Sequence, residues 1–223
     1  MLQHADRVER RAAPDDHGSG ANRVTVTVRA AQPSPEEGER FAEFFDVAAA
    51  GIVRQMLGRR SEQVMAAAYL SPGHDYSYQT VHLAEIDGQI VGMASAYDSH
   101  YHAASSLRPI LRAAGLRSIR AIPAVLVGWR VMSFVDTVPE SDFYLAALAV
   151  DGTHRGEGIG TVLLEHTLDR ARSAGSERIV LDVDSDNQGG RRLYERWGMT
   201  VEAESPSWPF MPSQRVLRMV KRL

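Results

Sequence analysis

The spacing of apolar positions changes several times along the chain. Residues 23–29 alternate valine with polar residues, and this period of two predicts a half-buried strand. Residues 80–86 and 89–97 have the composition of two further strands. The Asp87-Gly88 pair between them is typical of a tight hairpin turn, so we expect these two strands to be antiparallel neighbours.

Ser34 marks the start of the first predicted helix. A serine followed by Pro35 and by the carboxylates of Glu36 and Glu37 is typical of a helix N-terminus. Apolar residues at helical spacing continue this pattern to Leu57, with or without an interruption. A second helical stretch is predicted over residues 62–70.

The second half of the chain alternates strands and helices. The predicted elements are a strand at 145–150, a helix from 159 to about 174 ended by Gly175, a strand at 179–183, a helix at 187–197, and two strands at 200–203 and 215–220. The order of elements predicts a mixed α/β fold. Its central, mostly antiparallel sheet would have roughly six or seven strands around one parallel β-α-β unit, with helices on both faces.

Two segments fall outside this series. Residues 1–22 combine charged residues with Pro, Asp and Gly, and we expect them to form a disordered tail. Residues 23–223 are then a single domain that carries a helical insertion at about 98–140. The insertion ends in an apolar run, 121–134, which either packs over the sheet or, if exposed, contacts an oligomer partner.

Composition narrows the class of protein. The chain has 223 residues, 44% of them hydrophobic, a net charge of −3 and no cysteine. The charge gives no drive towards nucleic acid or an anionic membrane, and the lack of cysteine excludes disulfides and thiolate sites. The N-terminus lacks the apolar core of a secretory signal, and no apolar run approaches the roughly 20 residues that span a bilayer. We expect a cytoplasmic monomer or homodimer that binds neither nucleic acid nor membrane.

A glycine-rich loop follows the strand at 145–150. The chain turns at Asp151-Gly152 and passes through Arg155-x-x-Gly158-x-Gly160 into the next helix. Backbone N–H groups at a helix N-terminus favour a phosphate or pyrophosphate. The same glycines could instead serve a tight turn and close helix packing.

Two other phosphate-binding motifs fit this loop less well. A P-loop would need a Gly-Lys pair before Thr161, and no lysine is nearby. A dinucleotide fold would find a suitable acidic residue in Asp182. However, the glycine spacing is G-x-G-x-G, and the hairpin upstream does not suit a parallel sheet.

A second motif lies downstream, at Asn187-Gln-Gly-Gly190-Arg-Arg-Leu-Tyr194-Glu-Arg-Trp-Gly-Met199. Together with the glycine loop it resembles the GNAT superfamily of N-acetyltransferases, whose pattern is Asn-x-x-Ala-x-x-Leu-Tyr-x-x-x-Gly-Phe. Gly190 stands in the small-residue position and Met199 replaces Phe. The two motifs cover about residues 143–200, while residues 23–97 match the family by element order alone.

The resemblance implies acetyl-CoA as a co-substrate and no metal. In the family the sheet splays apart between the strands that correspond to residues 145–150 and 179–183, and the pantetheine arm lies in that gap and pairs with exposed backbone. The residues that this implies for cofactor binding are Leu148, Ala149, Val150, Arg155, Gly156, Glu157, Gly158, Ile159, Gly160, Thr161, Asn187 and Tyr194. Asn187 could alternatively be a simple helix cap.

Catalytic roles are less defined. Tyr194 matches the family tyrosine near the thioester sulfur, where a proton donor assists a thiolate leaving group, although a helical tyrosine can also simply pack. Tyr144 stands where histone-type members carry a glutamate base. The base-side candidates are Tyr144, Asp142, Glu85, His100 and His102, and the candidates for acceptor binding are Tyr97, His100, Tyr101 and His102.

The resemblance therefore implies an acyl-CoA-dependent N-acyltransferase. We expect it to move acetyl from acetyl-CoA to a primary amine, on a small molecule or a protein, by direct attack on the thioester. The alternative is a non-catalytic GNAT domain that binds acyl-CoA as a regulatory or interaction module. The unassigned base leaves both functions open.

Overall fold

The computed structural model describes residues 8–10, 25–117, 119, 130, 131, 133–207 and 215–223. Its centre is one eight-stranded sheet with the strand order β1-β2-β3-β4-β5-β6-β8-β7. The strands are β1 Val8–Arg10, β2 Val26–Ala30, β3 Val81–Ile86, β4 Gln89–Asp98, β5 Asp142–Val150, β6 Arg178–Asp184, β7 Thr200–Glu204 and β8 Val216–Arg222. Neighbouring strands are antiparallel except β5 and β6, which are parallel, so the predicted fold class is confirmed.

Helices cover both faces of the sheet. The α-helices that lie wholly within the described residues are α1 Pro35–Ala48, α2 Ile52–Leu57, α3 Ser61–Tyr69, α4 Ser99–Ala104, α5 Arg108–Ala114, α6 Ile159–Ser173 and α7 Gln188–Arg196. Short 3-10 turns lie at Gly58–Arg60, Tyr78–Thr80, Gly115–Arg117 and Gly152–His154. The elements thus occur in the predicted order.

Local sequence signals determine where several elements begin and end. The Ser34 hydroxyl accepts the Glu37 N–H at 3.2 Å and begins α1 as predicted. The hairpin turns through Asp87 and Gly88, with φ of 50° and 78°, which is the left-handed backbone that this pair favours. The helical pattern up to Leu57 is interrupted, because the chain turns at Ala50 and Gly51 before α2 begins.

The core has two layers, one on each face of the sheet. One face holds α1 and α3, where Phe41 and Tyr69 pack over Met93 of β4. The other holds α6, whose Leu163 and Leu164 pack over the central strands. β5 and β6 therefore lie at the centre of the sheet with cores above and below them.

Two expectations about the flanking segments meet the structure only in part. Val8–Arg10 lies within the predicted disordered tail but pairs with β2 as an edge strand, because a sheet edge offers unpaired N–H and C=O groups to a neighbouring segment. The rest of residues 1–22 lies outside the described residues. The described part of the insertion contains α4 and α5, and most of its apolar run, 121–129 and 132, also lies outside them. In the part of the chain that the structure describes, no helix is both long and apolar enough to span a membrane.

Candidate active site

β5 and β6 pair over only part of their length. Their register runs from Asp142 opposite Arg178 to Leu145 opposite Leu181, and residues 146–150 of β5 have no partner in β6. A gap therefore opens in the sheet towards the carboxyl ends of the two parallel strands. Ligands of α/β sheets bind at this end of parallel strands.

Ala146 lies where the gap begins. In the β4–β5 register, Ser95 pairs with Ala147 and Ala96 pairs with Leu145, so Ala146 is a β-bulge residue without an opposite residue in β4. It also lies just beyond the last β5 residue that pairs with β6. Ala146 therefore stands outside the paired registers of β5 with both of its neighbouring strands. The sequence motifs did not single out this residue.

The glycine loop leads from β5 into α6. The Asp151 carboxylate accepts the Thr153 N–H at 3.0 Å and the Thr153 hydroxyl at 2.7 Å, which shapes the first turn. Gly156 and Gly158 have φ of 86° and 82°, and Gly158 is the N-cap residue of α6 without a side-chain cap. The first-turn N–H groups of α6 therefore have no competing side chain, which suits an anion.

The predicted residues of this loop divide into exposed and buried groups. Arg155, Gly156, Glu157, Gly158 and Thr161 are exposed, whereas the Ile159 side chain is buried in the core. Within the described structure, Arg155 makes no side-chain hydrogen bond or ion pair, so its guanidinium can approach a phosphate. Glu157 instead lies 3.0 Å from His154.

Gly160 has a packing role. A Cβ at this position would lie 3.1 Å from Cδ2 of Leu193 and 3.9 Å from Leu148, so the missing side chain lets α6 approach both α7 and β5. The two alternative interpretations of the loop thus apply to different glycines. Gly156 and Gly158 supply the left-handed backbone, and Gly160 supplies the close approach.

Arg40 of α1 contacts the start of the loop from the neighbouring layer. Its Nη2 donates to the Ile90 carbonyl at 3.1 Å and lies 3.5 Å from the Asp151 carboxylate. Its guanidinium also stacks over the Phe44 ring, 4.6 Å from the centroid. No local motif announces this contact, because Arg40 and Asp151 are 111 residues apart in the sequence.

Asn187 caps α7. Its side-chain oxygen accepts the Gly190 N–H at 2.9 Å, which is the helix-cap role considered for it. A Cβ on Gly190 would lie 2.9 Å from the Asn187 amide nitrogen, which explains why a small residue follows at this spacing. The cap uses only the side-chain oxygen of Asn187, and the amide nitrogen of this exposed residue faces solvent. Contact between Asn187 and a cofactor stays a prediction.

Tyr194 of α7 lies in the core on the α6 face, with 8% of its surface exposed. Burial raises the pKa of its hydroxyl to about 12. Among the described residues the hydroxyl has no hydrogen-bond partner. Tyr194 is therefore a protonated donor at neutral pH with its hydrogen uncommitted.

Tyr144 of β5 belongs to a buried network across the gap. Its hydroxyl donates to Oδ2 of Asp182 at 2.9 Å, and Arg218 of β8 donates to both oxygens of Asp182 at 2.9 and 2.7 Å. Burial, followed by the Asp182 carboxylate, raises the pKa of Tyr144 well above its ordinary value. Arg218 was not predicted as a site residue, and Asp182 was considered only as the acidic residue of a dinucleotide fold; their pairing appears only once β6 and β8 are adjacent.

Two predicted bases are in ion pairs instead. Asp142 is 1% exposed and accepts two hydrogen bonds from Arg178, at 2.8 and 2.7 Å, at the closed end of the β5–β6 pair. Glu85 of β3 is paired with Arg29 at 2.6 Å. Each carboxylate is thus paired with an arginine away from the gap, and its role as a base stays a prediction. The sequence alone could not distinguish a paired carboxylate from a reactive one.

The aromatic residues predicted for acceptor binding come together on the α1/α3 face. The Tyr97 ring stacks on His102 with centroids 5.7 Å apart and lies 5.7 Å from the Tyr144 ring. Tyr101 lies 6.2 Å from Tyr97, and its hydroxyl donates to the His74 carbonyl at 3.2 Å. His100 is exposed and does not join this cluster.

His102 connects three segments of this face. Its Nδ1 lies 2.9 Å from Oδ2 of Asp75, and its Nε2 lies 2.9 Å from the Asp136 carbonyl oxygen. Asp75 comes from the loop between α3 and β3, 27 residues earlier in the chain. Nothing in the sequence around Asp75 indicates this pairing.

Comparisons with known proteins agree on one family. The model of the acetyltransferase (GNAT) family matches residues 52–199. The chain is 40% identical over 55 residues to N-alpha-acetyltransferase 30 of Schizosaccharomyces pombe, a match that covers 25% of this chain and 37% of that protein. It is 32% identical over 80 residues to mycothiol acetyltransferase of Corynebacterium aurimucosum, covering 36% of this chain and 26% of that protein. The chain therefore matches only about a quarter to a third of these relatives' lengths.

Solved structures show the same fold at low sequence identity. A crystal structure described as an acetyltransferase matches with a TM-score of 0.60 at 22% identity, covering 87% of this chain and 98% of that one. An N-acetyltransferase from Staphylococcus aureus Mu50 matches with a TM-score of 0.59 at 15% identity, covering 87% and 99%. At these identities the likeness concerns the fold.

Proposed function

Because the chain belongs to the GNAT family of acetyltransferases, we propose that it transfers an acetyl group from acetyl-CoA to a primary amine of a small molecule or a protein. One observation carries the proposal. The unpaired edge of β5 at residues 146–150 runs directly into the uncapped N-terminus of α6. A single extended ligand with an amide-containing arm and a pyrophosphate fits both features.

The chain offers two kinds of backbone group to such a ligand. The open edge of β5 provides the N–H and C=O groups of Leu148 and Val150, which an amide chain can pair with as an added strand does, whereas the carbonyl of Ala149 faces β4. The loop and the first turn of α6 provide N–H groups for the pyrophosphate, with the Arg155 guanidinium beside them. Acetyl-CoA, when bound, supplies the activated acetyl thioester.

Tyr194 serves the leaving-group side of the reaction. A pKa of about 12 lies roughly 3.5 units above that of a free thiol, so complete proton transfer to a thiolate would cost about 5 kcal/mol. Donation of a hydrogen bond carries no such cost. We therefore assign Tyr194 as a hydrogen-bond donor that stabilises the developing thiolate.

Tyr144 serves the acceptor side. Because its hydrogen is donated to Asp182, the Tyr144 oxygen can only accept a further hydrogen bond. An amine N–H is a suitable donor, and this contact would turn the nitrogen lone pair towards the thioester. Both Asp182 oxygens are occupied, so the amine reacts in its neutral form and its excess proton leaves through water.

The second candidate function is acyl-CoA binding without turnover. The observation in its favour is that Asp142 and Glu85 are held in ion pairs rather than facing the gap. Both functions use the same cofactor site. They differ in whether an amine leads to release of the CoA thiol.

Thiol release from acetyl-CoA over a panel of amines separates the two candidates. The proposal expects amine-dependent release by the wild type and slower release by Tyr194→Phe. Micromolar or tighter CoA binding with no release on any amine would support the binding module instead.

A further inference from the structure

Asp75 lies in a buried cluster on the acceptor side of the gap. This Asp75 cluster comprises Asp75, Tyr76, Tyr97, His102 and Asp136. Asp75 is 9% exposed, and its Oδ2 faces His102. Its other oxygen, Oδ1, is buried and has no hydrogen-bond partner in the structure.

An unpartnered carboxylate oxygen in this position is unfavourable. Removing a polar group from water without a compensating hydrogen bond costs about 1–3 kcal/mol, and more when the group is charged. Asp75 differs from the carboxylates that form salt bridges in the core. Asp142 and Asp182 each accept hydrogen bonds from an arginine through both oxygens, whereas Asp75 uses only Oδ2. Among the described residues, Oδ1 of Asp46 is also without a partner, but that carboxylate is already paired with Arg54, whereas Asp75 has no arginine or lysine beside it and its Oδ1 could be satisfied by a ligand.

The charges around this oxygen favour a cation. One imidazole, His102, faces two carboxylates: Asp75 at 2.9 Å and Asp136 at 3.9 Å. Even with a protonated ring, the two ionised carboxylates leave an excess negative charge, and burial raises the pKa of Asp75 because no full counter-charge lies beside it. The second carboxylate, Asp136, is on the surface with 79% of its side chain exposed, so Asp75 supplies the buried part of that charge.

The pKa values of the two neighbouring tyrosines are raised in part by the same negative charges. Burial, followed by the charges of Asp75 and Asp136, raises the pKa of Tyr76 to about 12. Burial raises the pKa of Tyr97 above its ordinary range, and Asp75 is the next largest cause. The faces of these aromatic rings also attract cations.

The Asp75 cluster is one aromatic ring away from the proposed reaction centre. Tyr97 stacks on His102 on one side and contacts Tyr144 on the other, each at 5.7 Å between centroids. An amine held by a carboxylate keeps its proton and is a poor nucleophile. The group at Asp75 is therefore a different one from the neutral amine at Tyr144.

We propose that Asp75 binds a second, non-reacting cationic group of the acceptor, so that small diamines are preferred to monoamines of the same length. This inference rests on the proposed acetyl transfer and names its substrate class. His102 holds the Asp75 carboxylate in place through Oδ2, and Tyr97 forms the wall between the two ends of the acceptor.

Steady-state kinetics with α,ω-diamines and with monoalkylamines of matched length test the proposal. The wild type should show a higher kcat/KM for diamines, with the difference mainly in KM. In Asp75→Asn the ratio of diamine to monoamine kcat/KM should fall about 10- to 100-fold, as expected for loss of a charged hydrogen bond. Glu39→Gln removes an exposed carboxylate on α1 and should keep the wild-type ratio.

A second variant tests the proposal independently if Asp75→Asn does not fold. Asp136→Asn changes an exposed side chain and should lower the same ratio by a smaller factor, about 2- to 5-fold, because a surface charge is screened. A crystal structure with a bound diamine should place one nitrogen on Oδ1 of Asp75.

Three results would overturn the inference. The first is acetylation of monoamines and diamines with equal kcat/KM by the wild type, which would leave the proposed acetyl transfer intact. The second is an equal loss on both amine classes in Asp75→Asn, which indicates a structural role. The third is an ordered water alone on Oδ1 in the diamine-soaked crystal. Failure of every amine to release thiol would instead refute the acetyl transfer on which the inference depends.

Discussion

The Tyr144 hydroxyl donates to Oδ2 of Asp182 at 2.9 Å, just where backbone pairing between β5 and β6 stops. Asp182 is the first β6 residue beyond the paired stretch. At this point the hydrogen bond between the Tyr144 and Asp182 side chains follows the last backbone pairing between the two strands. Arg218 holds Asp182 from β8 and donates to the Phe134 carbonyl at 2.7 Å, which connects the network to the insertion. The opening of the sheet and the acceptor side of the site are thus joined by one buried carboxylate.

Removal of the Tyr144 hydroxyl should affect the acceptor and not the cofactor. Tyr144→Phe keeps the ring but loses the oxygen that we propose accepts the amine N–H. We expect kcat/KM for the amine to fall about tenfold, which corresponds to roughly 1.4 kcal/mol, with little change in the Kd for CoA measured by calorimetry. Tyr78→Phe, in a half-buried tyrosine of the same face, is the matched control. An unchanged kcat/KM in Tyr144→Phe would remove Tyr144 from the acceptor site.

Tyr194 should give the folded protein a distinct alkaline stability profile. Its pKa is raised from 10.0 to about 12, so the folded state holds this proton more tightly than the unfolded state. The corresponding stability is fully present below pH 10 and is lost as the pH rises through about 12. It amounts to roughly 2–3 kcal/mol.

The measurement is chemical unfolding of the wild type and Tyr194→Phe at several pH values. The wild type should lose more unfolding free energy than the variant between pH 10 and 12, and the difference isolates Tyr194 from the other tyrosines. Near pH 7 the two should have similar stability, because the hydroxyl makes no hydrogen bond to the described residues. Parallel pH curves for the two proteins would contradict the assigned shift.

The glycines of the loop should differ in their tolerance of alanine. Gly160→Ala places a Cβ 3.1 Å from Cδ2 of Leu193, so the Leu193 side chain of α7 must shift by a few tenths of an ångström, and we expect a loss of about 1 kcal/mol in unfolding free energy and weaker CoA binding. Gly152→Ala meets no described atom within 4 Å and should stay within about 0.5 kcal/mol of the wild type. Thermal unfolding and CoA titration of both variants check this, and equal behaviour of the two would refute the packing role of Gly160.

Asp142 should matter for stability and not for chemistry. Asp142→Asn weakens a buried, doubly hydrogen-bonded pair with Arg178, and we expect a loss of about 2–4 kcal/mol, below the full value because Arg178 also bonds Glu202. Per folded molecule, kcat should stay near that of the wild type. A large fall in kcat with normal stability would instead restore Asp142 as the base.

Much of the fold and the backbone geometry of the glycine loop could be predicted because the signals are local. Ser34 with Pro35, Asp87 with Gly88 and the glycines before α6 each specify a backbone geometry within a few residues. The order of those elements then restricts the sheet to few arrangements. For Asn187 only the helix cap could be predicted from local sequence. A contact between Asn187 and a cofactor would depend on more distant parts of the chain.

The rest of the site depends on contacts between distant segments. Tyr144 and Asp182 are 38 residues apart in the sequence, and Asp75 and His102 are 27 residues apart, so neither pair has a sequence signature. The bulge at Ala146 exists only through its register with β4. The ion pair of Asp142 was hidden from the sequence for the same reason, because its partner Arg178 becomes its neighbour only when β5 and β6 pair.

Transfer of label from acetyl-CoA to an amine tests the central claim most directly. The protein is incubated with acetyl-CoA that carries an isotopically labelled acetyl group and with the amine panel, and the products are identified by mass spectrometry. We predict a labelled N-acetyl amine whose formation requires the protein and decreases in Tyr194→Phe. Recovery of unlabelled amines alone, under conditions where CoA binding is confirmed by calorimetry, would contradict the assignment of this chain as an N-acetyltransferase.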